Sequence, residues 1–423
     1  MAANIRAARW MGPIRALMTA TTISRDRTSA WTILQVFLRL GLSSFGGPIA
    51  HLGYFRQEFV TRRRWLSEHA YADLVAVCQF LPGPSSSQVG IGIGLLRAGL
   101  PGGLAAWLGF TLPSALLMWG FAFVLHDPDM SVPLGIGHGL KLVAVAVVAQ
   151  AVWGMAKSFC TDSLRIGIAM VFALWVLLEP GAWVQLGGII IAGVIGLVLL
   201  RGAPTAGARG GDEDAVHSTL GHRMALAALG GFFALLVGLP ALAQALDSPV
   251  LRMAAAFDRV SSLVFGGGHV VLPLLQTAIV RPGWVSQAHF LAGYGAAQAL
   301  PGPLFSFAAF LGAVMQRPPQ GWVGATVALV AIFLPAFLLV VAVLPYWQRL
   351  RHSTYARGAL AGLNAAVVGL LLAALYDPVW VNAVLTRQDF ALALGLFAAL
   401  AFWKTPPWMV VLAGAFAGWI VYG

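Results

Sequence analysis

The sequence predicts an all-α polytopic membrane protein. It reads as two inverted-topology repeats of about six hydrophobic segments each, with broken or re-entrant helices and one extra linking span. Three observations carry this reading. Of the 423 residues, 59% are hydrophobic and only 10% charged, a balance that long apolar runs in a bilayer produce and a soluble domain does not. The apolar runs fall in the order six, one, six. Landmarks of the first six recur in the second six at a shift of about 220 residues.

In chain order, residues 1–30 form a basic tail with Arg6, Arg9, Arg15, Arg25 and Arg27. The tail lacks the apolar core of a cleaved signal peptide and reads as cytoplasmic. The first repeat covers 31–200, with segments at 31–55, 70–98, 103–125, 138–158, 164–178 and 183–200. Residues 201–246 hold a polar linker containing Gly210-Gly211-Asp212-Glu213-Asp214, then the unmatched span 223–246. The second repeat covers 247–423, with segments at 252–280, 289–315, 321–345, 357–376, 388–402 and 407–422.

The repeats share their landmarks in order. Phe37 and Arg39 correspond to Phe257 and Arg259. Phe45-Gly46-Gly47-Pro48 corresponds to Phe265-Gly266-Gly267-Gly268, and Trp65 to Trp284. Gln79 and Pro82-Gly83-Pro84 correspond to Gln298 and Pro301-Gly302-Pro303, Ser87 to Ser306, and Leu112-Pro113 to Leu334-Pro335. One unmatched span between halves of equal parity inverts the second half, as in many secondary transporters. The net charge of +11 is that of short loops rich in Lys and Arg, which set orientation; no nucleic-acid partner is expected. With the N-terminus in the cytoplasm the C-terminus is periplasmic. The basic loops then fall inside, except Arg62-Arg63-Arg64, whose place favours hairpins over spans for 31–55 and 70–98. A loop reading is given to Asp247, Arg252, Asp258 and Arg259. Cys78 and Cys160 have no metal spacing and read as packing residues.

Pro-Gly-Pro inside an apolar run must break a helix, and backbone freed in lipid has to face protein or water. Pro84 fits the first position of a new half-helix, where its missing N–H costs nothing, so the amides of Ser85, Ser86 and Ser87 are free donors at a positive dipole end. The second copy keeps only Ser306. The Gly46-Gly47-Pro48 break, with Gly266-Gly267-Gly268 and His269 as its counterpart, offers the same chemistry. Four half-helix starts converging at the midplane would form an anion site. Arg39 and Arg259 would face it, since a guanidinium fork suits an oxyanion; the alternative is that each snorkels to an interface. Gln79 and Gln298 line the breaks or cap their carbonyls. Asp73 is the candidate proton-coupling carboxylate, against the reading of an interfacial acid. No metal cluster, phosphate loop or nucleophile elbow is present, so no catalytic role and no cofactor is expected.

These residues give the chain its resemblance to the chromate ion transporter family in its two-domain form. Phe45-Gly46-Gly47-Pro48, Gln79-Phe80-Leu81-Pro82-Gly83-Pro84 and Thr111-Leu112-Pro113 carry it, with the second copy from Phe265 to Gly268, Gln298 to Pro303 and Leu334-Pro335. The second copy departs in having Ala299 where the first has Phe80. The resemblance implies secondary export of chromate across the bacterial inner membrane, chromate resistance, and sulfate as a competitor. A sulfate or other oxyanion transporter, an anion channel and a membrane-embedded enzyme stay open as alternatives, as does a homodimer.

Overall fold

The computed structural model describes residues 28–126, 134–179, 182–200, 220–265, 270–346 and 353–422. They are helical throughout, with no strand among the described residues. The described residues form sixteen helices. The first repeat holds α1 (Ala30–Ser43), α2 (Gly47–Arg56, prolonged by a π turn at Gln57–Arg62), α3 (Glu68–Phe80), α4 (Ser85–His126), α5 (Leu134–Phe159), α6 (Ser163–Leu178) and α7 (Ala182–Leu199). The unmatched span is α8 (His222–Ala245). The second repeat holds α9 (Pro249–Leu263), α10 (Val271–Val280), α11 (Gln287–Ala297), α12 (Leu304–Ala313), α13 (Gly321–Val343), α14 (Thr354–Ala374), α15 (Arg387–Ala401) and α16 (Pro407–Tyr422).

Among the described residues, five helices are long and apolar enough to cross a membrane, at 85–124, 135–159, 222–245, 321–346 and 354–380. The long apolar runs at 31–55 and 70–98 are broken where the sequence predicts. α3 has 13 residues, about 20 Å at 1.5 Å per residue, too short for a hydrocarbon core of about 30 Å.

The breaks are reversals. Phe37 of α1 meets Phe55 of α2, ring centroids 5.6 Å apart, and these residues stand nine positions either side of Gly46. Gly92 of α4 lies against Leu74 of α3, nine positions either side of Gly83. Gly293 and Phe310 close the matching hairpin of α11 and α12. α4 itself turns back at Ala98 and Gly99, which leave helical geometry, and Gly94 packs on Gly102 across that turn. Both hairpins of the first repeat therefore return to the end where they start. Arg97 donates to the Thr28 hydroxyl at 3.0 Å, and the guanidinium groups of Arg63 and Arg97 each lie 5.4 Å from the Trp65 ring.

The two repeats exchange their long helices. α5 of the first packs on α15 and α16 of the second, and α14 of the second packs on α6 and α7 of the first. Glycines allow the close approach, with Gly139 on Gly414 and Gly196 on Gly358 and Gly362, as small residues do where lipid offers no hydrophobic drive. Asp258 and Arg259, read as loop charges from the sequence, lie inside α9, and Asp258 is buried.

Candidate functional site

Each break has the local chemistry its residues impose. Gly46 and Gly47 have φ of 99° and 76°, a region that a Cβ penalises, and Pro48 opens α2 where its missing N–H costs nothing. Leu81, ahead of Pro82, is extended with ψ 147°, since proline bars the helical region to its predecessor. Gly83 and Gly302 have φ of 115° and 94°.

The breaks of one repeat bond to those of the other. Gly83 N–H donates to the Val264 carbonyl at 2.7 Å, and Gly302 N–H donates to the Ser44 carbonyl at 2.9 Å. Val264 and Ser44 are the residues just before the two Phe-Gly-Gly motifs. Each Pro-Gly-Pro glycine also abuts the long helix of the opposite repeat beside its inner proline. A Cβ on Gly83 would stand 3.0 Å from Ala336 Cβ, and one on Gly302 would stand 2.8 Å from Ser114 Oγ. The contacts are reciprocal, so the repeats are related by a pseudo-two-fold through these contacts.

A cavity of about 230 Å³ opens beside this crossing. Gly46, Gly47 and Pro48 of the first repeat form one wall, and Gln298, Leu300 and Gly302 of the second form another. Gln150 of α5 and the turn between α15 and α16, with Lys404, complete it. Gln150 Nε2 donates to the Leu400 carbonyl at 3.3 Å. Gln298 Nε2 is buried without a hydrogen-bond partner. Among the described residues of the wall, Lys404 is the one that carries a charge. A second cavity of about 20 Å³, lined by Gln185, Gln276, Leu370 and Asp377 among others, lies among the corresponding helices of the opposite repeats.

The remaining predicted residues are distributed as follows. Arg39 is exposed on α1 and Arg259 half-buried on α9; neither lines the cavity. Gln79 is exposed, Asp73 half-buried on α3, and Phe45 and Phe265 half-buried. Pro82 is half-buried, whereas Pro84, Pro301 and Pro303 are buried. Ser85 is half-buried and Ser86 and Ser87 are buried. Ser86 Oγ lies 3.3 Å from His51 Nδ1 of α2, which ties one break to its neighbour. Ser306 Oγ donates to the Pro303 carbonyl at 2.8 Å. Gly266, Gly267, Gly268 and His269 lie outside the described residues. Sequence reasoning missed Gln150, His51 and Lys404. Lys404 has a signal in hindsight, a lone cation in the turn between two apolar runs, but its register partner Val184 gave the duplication nothing to flag. Among the described residues no group of three His, Cys, Asp or Glu side chains could hold a metal.

A sequence profile described as chromate transporter matches residues 31–197 and again 251–419. The chain belongs to the chromate transporter family. The chromate transport protein of Pseudomonas aeruginosa is 31% identical over 400 residues, 91% of each chain. The probable chromate transport protein of Synechococcus elongatus is 27% identical, covering 92% of this chain and 95% of that one. The chromate transport protein of Cupriavidus metallidurans is 28% identical over 92% of both. No solved structure matches. The two profile matches coincide with the two repeats, and α8 falls between them. This chromate transporter family member is a multi-pass membrane transporter, not an enzyme.

Proposed function

We propose that the protein exports chromate from the bacterial cytoplasm across the inner membrane by alternating access, and so confers chromate resistance. The observation that carries this reading is the cavity at the crossed breaks, where backbone of both repeats, an unpaired Gln298 amide and Lys404 meet. Its volume of about 230 Å³ equals roughly eight water molecules at ~30 Å³ each, room for a four-oxygen dianion with part of its hydration. Lys404 supplies the charge and the Gln298 amide a donor. This assignment moves charge neutralisation away from Arg39 and Arg259, which stand outside the cavity wall.

The sidedness follows from the hairpins and the basic tail. With Thr28, Trp65 and Arg97 at the cytoplasmic face, counting crossings brings the α15–α16 turn to that face too. The cavity with Lys404 then opens inward, and its counterpart at the other face holds about 20 Å³ against about 230 Å³. That asymmetry supports an inward-open state of a rocking pair. An inside-negative potential favours export of a dianion, at ~2.3 kcal/mol per charge per 100 mV.

Sulfate, a dianion of the same shape, fits the same donors and is the expected competitor. Uptake of labelled chromate into everted membrane vesicles tests the reading. Saturable uptake that sulfate inhibits is expected, and Gln298→Glu should abolish it. At 4 Å and an effective dielectric of 20 a like-charge pair costs ~4 kcal/mol. Vesicles that saturate with sulfate and ignore chromate would assign the site to another oxyanion.

A further inference from the structure

Asp258 lies on α9, six residues before Val264, the acceptor of the Gly83 amide. It is 2% exposed and its Oδ1 has no hydrogen-bond partner. Ser261 and Ser262 follow three and four residues on, which places them on the same helical face. Both are buried, and both hydroxyls are unpaired. Neither is bonded back to its own helix, the usual resource of a helical serine.

Among the described residues that pack most closely on α9, no cation answers this carboxyl. α9 packs most closely on α13, α8 and α10. Residues 321–343, 234–245 and 271–280 of those helices contain no charged or titratable side chain. On α9 itself, Arg252 pairs with Asp247. Arg259, the next residue, projects about 100° round the helix. An ionised carboxylate so placed is strongly disfavoured unless a cation or proton joins it, and buried oxygens left unpaired call for a ligand or an explanation.

Among its described residues the first repeat has no buried, unpaired acid. Its register equivalent, Leu38, is 39% exposed on α1. α1 packs chiefly on α4, whereas α9 is also covered by the unmatched span α8. The extra span thus accompanies a sealed acid in one repeat only.

We propose that Asp258, with Ser261 and Ser262, carries a proton in exchange for the exported anion. The proposal rests on the transport reading above. In the topology argued there, the α9–α10 hairpin opens to the periplasm, while the substrate cavity opens to the cytoplasm. The Asp258 carboxylate takes up a proton when the periplasmic side opens. It gives the proton up toward the breaks, about 9 Å along α9 at 1.5 Å per residue, after the halves rock back.

The test uses the full chain in sodium-free proteoliposomes with a pH dye in the lumen, at a pH where chromate is fully ionised. In the wild type, chromate entering the lumen should make it alkaline. Asp258→Asn should lower the protons moved per chromate at least tenfold, and Asp258→Glu should restore them. In the wild type a hydrophobic carbodiimide, which caps protonated carboxyls, should modify Asp258 and stop proton movement; this reading stands even if the Asn variant fails to insert. Chromate flux without a lumen pH change, an unchanged ratio in Asp258→Asn, an unmodified Asp258, or flux that follows sodium and ignores pH overturns the proposal. A wild type with no saturable chromate flux removes the transport reading itself, and the proton site with it.

Discussion

Arg97 and Thr28, 69 residues apart, are joined by a hydrogen bond of 3.0 Å. Between them the chain runs inward twice and returns twice, through α1 and α2, then α3 and the first part of α4. The bond places the start of the first hairpin and the end of the second at one face.

Sidedness labelling checks this directly. Single cysteines at Ser29 and Arg62, in a chain lacking Cys78 and Cys160, should react with an impermeant thiol reagent from the same side of the membrane. Reaction from opposite sides would remove the hairpins and restore a spanning helix.

The break glycines should tolerate no side chain. Gly83→Ala and Gly302→Ala each combine a positive φ with a Cβ contact at 3.0 Å or less. Strain of this kind costs about 1–3 kcal/mol. A lower melting temperature and loss of chromate uptake are expected for both. Gly53→Ala, with nothing within 4 Å, is the control and should behave as wild type.

Lys404 and Arg39 separate two accounts of the charge. Lys404→Ala should raise the KM for chromate about tenfold, equivalent to ~1.4 kcal/mol, and Lys404→Arg should recover most of it. Arg39→Ala, on an exposed face, should change KM less than twofold. The reverse pattern in vesicle uptake would return the site to the arginines.

Asp389 should matter for stability rather than for transport chemistry. Its carboxylate accepts from the Leu385 and Thr386 amides and closes a capping box at the start of α15. It also bonds His138 Nε2 at 2.6 Å and accepts from the Tyr422 hydroxyl at 2.5 Å. One acid therefore joins α5 of the first repeat to α15 and α16 of the second. Asp389→Ala should destabilise the protein by about 1–3 kcal/mol, the scale for leaving buried donors without their acceptor, seen as a fall in melting temperature in detergent. A thermally unchanged variant would show that the cluster is not a clamp.

The breaks and the duplication were legible because they rest on local chemistry. Proline at 82 and 84 and glycine at 46, 47 and 83 fix backbone geometry wherever the chain goes, and an ordered set of landmarks survives translation along the sequence. The partner of each break was not legible. That Gly83 meets Val264, and not its own Phe-Gly-Gly, is a tertiary fact with no local signature. What Arg39 faces was not legible, because helical spacing fixes an angle on α1 but not what stands opposite it. Asp258 misled for the converse reason: a charged neighbourhood reads as a loop until α8 is seen to cover the helix that carries it.

The crossed amides have a consequence for how such a molecule can exist at all. A chain carrying one repeat alone would present Gly83 N–H and the Ser44 carbonyl without the Val264 carbonyl and the Gly302 amide that the other repeat supplies. The repeats are thus obligate partners, two subunits of one dimer that happen to share a peptide link. α8, lying between the two family matches, makes that sharing compatible with opposite insertion. Severed between Gly210 and Gly211, the pieces should fail singly and assemble when made together.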